Sequence, residues 1–349
     1  MHWYLFPFSI LYGTIVRVRN KFFDWGWIES KKYDLPIINV GNISVGGTGK
    51  TPHVEYLLSL LTKYKVSTIS RGYKRKTKGF IEVKTQSNVR DVGDEPLQIK
   101  RKFPETLVIV DEKRVHAIDT IIAMQNTPDV IVLDDAYQHR YVHPGLNILL
   151  VDFNRPITKD YMLPVGRLRE SSHNSHRADV VIVTKCPEDI SSMDMRIMQK
   201  ELNLFAYQHL FFSMFVYDSM RSIFGNENRY KDISDLSGIS ILVVTGIANP
   251  KPLYKKLENV GATVYPLSFS DHHNFAISDI NKIEKQFCAI ESKEKIIVCT
   301  EKDAIRLKTK EFKSPLSKLP FYFLPIKVSL LSKKDLAFEM MINKFIDSF

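Results

Sequence analysis

The sequence predicts an α/β protein: a parallel sheet covered on both faces by helices, followed by a smaller α/β domain. Three observations lead there. Short runs rich in Val and Ile recur at 36–40, 66–70, 106–110, 130–133, 147–152 and 179–183, with helical stretches between them. Apolar runs alternating with helices indicate strands buried on both faces of a parallel sheet. A polar stretch at 224–238, "FGNENRYKDISDLSG", then precedes a second set of strand candidates at 239–245, 262–267, 295–300 and 320–324. A chain of 349 residues accommodates two such domains.

In chain order, residues 1–30 form an N-terminal segment. Its apolar, aromatic run from Trp3 to Val16 carries Pro7 and Gly13 and is too short to span a bilayer. It has no leading positive charge and no small-residue cleavage site, so it is not a secretory signal. Arg17, Arg19 and Lys21 follow, then Phe22, Phe23, Trp25 and Trp27. Rings beside cations suit a helix lying at a membrane interface, and equally a first helix packed on the protein body.

Residues 31–208 form the main domain. Its first strand leads into "NVGNISVGGTGKTPHVEYL" (39–57). Glycines after a strand let backbone N–H groups curl around phosphate oxygens, and the following helix adds its positive dipole end. The loop therefore reads as a phosphate-binding loop, Ser44, Val45, Gly46, Gly47, Thr48, Gly49, Lys50 and Thr51, in a P-loop NTPase-like domain. Lys50 suits the outer phosphates and the Thr51 hydroxyl suits Mg²⁺. The strict pattern wants glycine at the first position, where this chain has Ser44. Helix is expected over Pro52–Tyr64, with Pro52 in the first turn.

Such a loop needs an acidic partner at a nearby strand end. "DVIVLDDAYQH" (129–139) supplies Asp134 and Asp135 after four apolar residues, at the edge where open α/β sheets bind ligands. A second pair, Asp94 and Glu95 in "GDEP" (93–96), offers a carboxylate to accept a hydroxyl proton, or an acidic first turn facing a helix dipole. "SRGYKRKTKG" (70–79) gathers five cations around Tyr73, at a ligand edge or as solvated charge. Residues 209–237 read as a strand linker and 238–349 as the smaller domain, where "SDHHNF" places Asp271, His272 and His273 in a loop. The last helix is expected to bury Leu336, Met340, Met341, Phe345 and Phe349.

A net charge of +10 favours anionic partners. No zinc finger, helix-turn-helix cue or aromatic RNA signature appears, so nucleic acid is not expected. Cys186, Cys288 and Cys299 are scattered, which argues against a zinc site or a disulfide framework.

Together the segments "NVGNISVGGTGKTP", "SRGY", "GDEP", "DDAYQH", "LPVGRLRE" (163–170), "TGIANP" (245–250), "DHH" (271–273) and "TEKDAIRL" (300–307) run in order along nearly the whole chain. The set resembles the tetraacyldisaccharide 4'-kinase family. That resemblance implies an ATP- and Mg²⁺-dependent kinase at the cytoplasmic face of the inner membrane. The expected substrate is an acylated glucosamine disaccharide 1-phosphate, phosphorylated on its 4'-hydroxyl to give lipid IVA in lipid A biosynthesis. The implied fold is two α/β domains joined by a short strand linker, with the active site in their cleft. Carried over by position, Asp94 and His272 are the pair that activates the sugar hydroxyl, with Lys50 on the phosphates. Thr51, Asp134, Asp135 and Glu95 form the metal set, and Tyr73, Gln138, His139 and Arg169 the substrate and phosphate edge. A four-chain acyl substrate gives an interfacial N-terminal segment a purpose, and the basic excess suits anionic lipid.

Three positions depart from the family pattern. Ala136 and Tyr137 stand where Gly and Phe are usual, and Arg167 adds a second arginine beside Arg169. Rival readings also exist. A partitioning-type ATPase switch at the membrane carries a lysine just before the paired glycines, and here that position is Val45. A GTPase needs N-K-x-D, and "VTKCPED" has Pro187 where the aspartate belongs. A nucleotide sensor without catalysis would leave "GDEP" and "DHH" idle.

Overall fold

A computed structural model describes residues 3–224 and 232–349. Two compact units emerge. The first comprises 1–215 and 328–349, the second 216–327.

The first unit is built on strands β1 (Ile37–Gly41), β2 (Val66–Ser70), β3 (Ile81–Glu82), β4 (Leu107–Val110), β5 (Val130–Asp134), β6 (Leu146–Asp152), β7 (Val180–Thr184) and β8 (His209–Tyr217). Their order across the sheet is β8-β7-β6-β1-β5-β2-β4-β3, with β14 (Ile326–Leu330) beyond β8. From β8 to β4 every pairing is parallel, and the two-residue β3 pairs antiparallel with β4. All five residues of β1, β2, β5 and β7 are buried, as strands covered on both faces must be. The chain steps from β1 past β5 to β2, then back across β1 from β5 to β6. The order therefore reverses beside β1, and ligands of open α/β sheets bind at such a reversal.

The second unit has β9 (Arg221–Ser222), β10 (Ser240–Thr245), β11 (Thr263–Ser268), β12 (Lys295–Thr300) and β13 (Phe321–Leu324), ordered β11-β10-β12-β13-β9. Four strands are parallel and β9 is an antiparallel edge. One face packs Val244, Leu267, Ile283 and Phe321, and the other packs Ile241, Val243, Leu257 and Val298.

Two expectations need correction. The C-terminal helix (Asp335–Ile346) belongs to the first unit, not to the smaller one. Tyr56 of the loop helix donates to Asp335 at 2.7 Å and stacks on Phe338. The helix also buries a different face: Phe338, Ile342 and Ile346 are inside, while Leu336, Met340 and Phe349 are exposed. Apolar residues on both sides of the helix made its inner stripe ambiguous. The boundary expected at 224–238 lies partly outside the described residues, and the compact units divide at 216 and 328 instead.

The N-terminal helix (Phe6–Asp24) is turned outside in. Its polar side faces the first unit: Ser9 donates to Met162 O, Tyr12 to Arg169 O at 3.0 Å, Arg19 to Gln138 O, and Asn20 to Glu170. Its apolar side, Tyr4 just ahead of it with Phe8, Leu11, Ile15 and Val18 at alternating spacings of four and three, is exposed. Among the described residues no helix is long and apolar enough to cross a membrane.

Candidate active site

The glycine loop grows from β1 at the sheet reversal. Gly46 and Gly49 take positive φ, +117° and +90°, and Gly49 is the residue before the helix Lys50–Leu60. Residue 49 must be glycine twice over, since a Cβ there would also meet Phe215 at 2.6 Å. Ser44 is not among the left-handed positions, so serine costs the loop nothing. It is buried and forms an antiparallel bridge with Leu168. This bridge explains the "LPVGRLRE" segment. It lies alongside the loop, with Val45 N donating to Arg167 O and Arg169 N to Ile43 O.

Several residues that the sequence reading passed over shape the loop. Asn42 donates to Ser44 O and the Thr48 hydroxyl, and its Oδ1 lies 3.4 Å from Lys50 Nζ. Thr184, at the end of β7, donates to Thr48 O. His53 donates from Nδ1 to Gly49 O at 2.7 Å and accepts at Nε2 from Ser213. Burial holds this imidazole neutral, with its pKa pushed down to about 4. Asn42 was visible inside the quoted motif. Thr184 and His53 carry no sequence signal, because their role exists only once β7 and β8 lie beside the loop.

The acids of "DDAYQH" follow β5, the strand next to β1. The left-handed turn falls on Asp135 (φ 51°) and not on Ala136, so the missing glycine at 136 is not needed. Asp135 lies 3.6 Å from Lys50 Nζ and 3.2 Å from Arg169 Nη1, and Arg169 also reaches Gln138 Oε1. Burial pushes Asp135 up, but Lys50 and Arg169 outweigh it and hold its carboxyl below the usual range. Asp134 behaves oppositely. Burial first, then the charges of Glu95 and Asp135, push it up to about 7. Its Oδ1 has no hydrogen-bond partner among the described residues. Of the two arginines, Arg169 reaches the acids, while Arg167 lends its carbonyl and lies beside Gly46.

Asp94 is buried at the start of the helix Asp94–Lys102, after Gly93 at φ 91°, and accepts from Glu95 N at 3.0 Å. This helix is locked to the loop helix through buried Glu55, which accepts from Gln98 at 2.8 Å and Lys102 at 2.6 Å. "SRGY" and "GDEP" meet through their glycines: a Cβ on Gly93 would crowd Tyr73 O and Gly72. Tyr73 is exposed, with Lys74 over its ring, while Arg75 is tied to Glu112 as scaffold. His139 is half-buried, and burial and then Arg114, Arg19 and Arg71 push it down to about 4.

His272 lies in the second unit and Asp94 in the first. His272 sits at φ 56°, with its backbone N–H on Gly246 O at 3.1 Å. Its ring Nδ1 is 3.1 Å from Arg306. His273 instead pairs with Asp279 at 2.9 Å and stacks on Phe269, a structural arrangement at the start of the helix Ile277–Cys288. Asp271 is exposed.

The orphaned Asp134 Oδ1, crowded by Glu95 and Asp135, is a place where positive charge is missing, and hard oxygen donors of this kind fit Mg²⁺. No group of three or more His, Cys, Asp or Glu side chains forms a complete metal site among the described residues.

The profile of a family described as tetraacyldisaccharide-1-P 4'-kinase matches residues 1–346. The tetraacyldisaccharide 4'-kinase of Phocaeicola vulgatus is 45% identical over 98% of this chain and 94% of its own. That of Bacteroides thetaiotaomicron is 44% identical over 99% and 93%. A crystal structure of the "apo" form of LpxK from Aquifex aeolicus in complex with ATP superposes with a TM-score of 0.75 at 28% identity, covering 98% of both chains. With loop, acids and motif segments assembled as described, the chain belongs to the tetraacyldisaccharide-1-phosphate 4'-kinase family.

Proposed function

We propose that the chain transfers the γ-phosphoryl group of ATP to the 4'-hydroxyl of a tetraacylated glucosamine disaccharide 1-phosphate, giving lipid IVA. The observation that carries this reading is the convergence, at one sheet reversal, of a left-handed glycine loop, Lys50 and the Asp134–Asp135 pair. A switch ATPase at the membrane has no support, since the family match runs the length of the chain.

In this reading backbone N–H groups of 44–51 and Lys50 hold the phosphates. Thr51, Asp134 and Glu95 would hold Mg²⁺, with Asp135 kept ionised by Lys50 and Arg169. When bound, the ion would neutralise charge on the phosphate oxygens. Asp94 takes the proton from the sugar hydroxyl, with His272 as the second catalytic residue. The freed oxygen bonds to the γ-phosphorus as the bond to the bridging β–γ oxygen breaks, and ADP leaves with that electron pair. Tyr73, Gln138, His139 and Arg169 form the edge that meets headgroup and phosphate.

The exposed stripe of the N-terminal helix supports a monotopic position on the cytoplasmic face of the inner membrane. Each large apolar side chain buried in lipid gains about 1.5–3 kcal/mol, so a stripe of five outweighs the helix's modest length. Arg17 and Lys21 suit anionic headgroups.

The test supplies purified protein with ATP, Mg²⁺ and the disaccharide 1-phosphate in mixed micelles or anionic vesicles. A bis-phosphorylated lipid is expected. Asp94→Asn should lower kcat by about 10²–10⁴-fold while ATP binding survives. ATP hydrolysis with no lipid product would sink the kinase reading.

A further inference from the structure

Three segments of the second unit, "TGIANP", "DHH" and "TEKDAIRL", converge on one buried guanidinium. Arg306 lies in the short helix Glu301–Leu307 and is almost fully buried. Its Nη1 donates to Gly246 O at 3.0 Å and lies 3.2 Å from Asp303 Oδ1. Asp303 is itself wholly buried. Its Oδ2 accepts from the Thr300 hydroxyl at 2.6 Å, and its N–H returns a bond to that hydroxyl. Arg306 Nη1 thus bonds the scaffold, and its other terminal nitrogen, Nη2, lies 3.1 Å from His272 Nδ1.

A guanidinium carries only donors. The imidazole nitrogen facing it must be the acceptor, so the ring proton of neutral His272 sits on Nε2. The backbone is fixed at the same point. Gly246 O accepts from both the His272 N–H and Arg306, which pins the left-handed turn at residue 272. Residue 246 must be small, because a Cβ there would meet Asp303 Oδ1 at 3.0 Å and His273 Cβ at 3.3 Å.

We propose that Arg306, held by Asp303, is a positioning residue that sets the His272 ring with its proton on Nε2, so that the ring presents Nε2–H as a hydrogen-bond donor. This rests on the reading of His272 as a catalytic residue. An ion pair serving only the fold would need no nitrogen on the ring. Arg306 instead divides its donors between the scaffold and the histidine.

The test reads the tautomer directly. Full-length protein labelled with ¹⁵N at histidine is examined by long-range ¹H–¹⁵N spectra, with the His272 signals identified by their loss in His272→Gln. The expected pattern is pyridine-type Nδ1 and pyrrole-type Nε2. A protonated Nδ1 in the wild type overturns the proposal without any mutant. Arg306→Met should mix the tautomers and lower kcat by up to about 100-fold, with KM for ATP kept. Arg306→Lys should not restore it, since an ammonium lacks the planar fork that serves three partners. Should Arg306→Met fail to fold, Asp303→Asn loosens the same anchor and should show a milder form of both changes. An unchanged tautomer and kcat in a folded Arg306 variant overturns the proposal. His272→Gln with wild-type turnover would instead remove the underlying reading of His272, a result distinct from the tautomer.

Discussion

At the carboxyl end of β1 the chain turns through Gly46, Gly47 and Gly49 into a helix. At the carboxyl end of β10 it turns through Gly246 and enters the helix Lys251–Asn259. Both turns leave an interior strand of a parallel sheet, yet they are finished differently. The first leaves charge unbalanced: Lys50 is held only loosely, 3.6 Å from Asp135, and Asp134 Oδ1 lacks a partner. The second joins Gly246 O, Asp303 and His272 to Arg306. Architecture alone thus does not make a phosphate site. In the proposed reading the first crevice is completed by a ligand, while the second is a mount for one side chain.

The contrast breaks most visibly at Lys50. Lys50→Ala should cut kcat by about 10³-fold in the lipid kinase assay, because it removes the cation that the proposed function sets on the phosphates. Turnover at the wild-type rate would mean the first crevice is as self-contained as the second.

Asp134 sharpens the comparison through pH. Its folded-state pKa lies above the ordinary carboxylate value, so the folded protein binds the proton more tightly than the unfolded chain. Wild-type stability without Mg²⁺ therefore falls as pH rises from about 4 to 7 and levels off above. Asp134→Asn removes this dependence. Its stability advantage over wild type should grow across that window, by about 1.4 kcal/mol for each unit separating the two pKa values. Thermal melts at pH 5 and pH 8 give the answer, and an equal gap at both would refute the buried, raised carboxyl.

The smallest effect is a pair of alanines. At Gly47 a Cβ meets nothing within 4 Å, whereas at Gly246 it meets Asp303 and His273. Gly246→Ala should lose about 1–3 kcal/mol by overpacking. Gly47→Ala should stay within about 0.5 kcal/mol in the absence of nucleotide. Denaturant titrations that reversed this order would show that the β10 turn is the looser one.

Much of this was legible because it is local. Six Val- and Ile-rich runs became β1, β2, β4, β5, β6 and β7, and the glycine loop and the Asp134–Asp135 pair announced themselves by position after strands. What the sequence withheld depends on distant contacts. Thr184 and His53 matter only when β7 and β8 flank the loop. The return of the last helix to the first unit rests on contacts such as Tyr56 with Asp335, 279 positions apart. Arg306 stood inside the quoted "TEKDAIRL" with no role of its own, and its bond to His272 spans 34 positions. The Ser44 and Ala136 departures looked like defects because the pattern counts glycines, while the backbone needs them only where φ is positive.

The polar side of the N-terminal helix has a practical consequence. Tyr12 is bonded to the backbone of Arg169, Arg19 to that of Gln138, and Asn20 to buried Glu170. The helix proposed to lie at the membrane is thus also a strut under the residues nearest the acids. Trimming it would also disturb those residues, since Glu170 would lose the Asn20 amide and Arg169 a backbone tether. Testing the proposed attachment apart from turnover calls for changes to the outward stripe, Phe8, Leu11 and Ile15, which leave the inner face and its bonds in place.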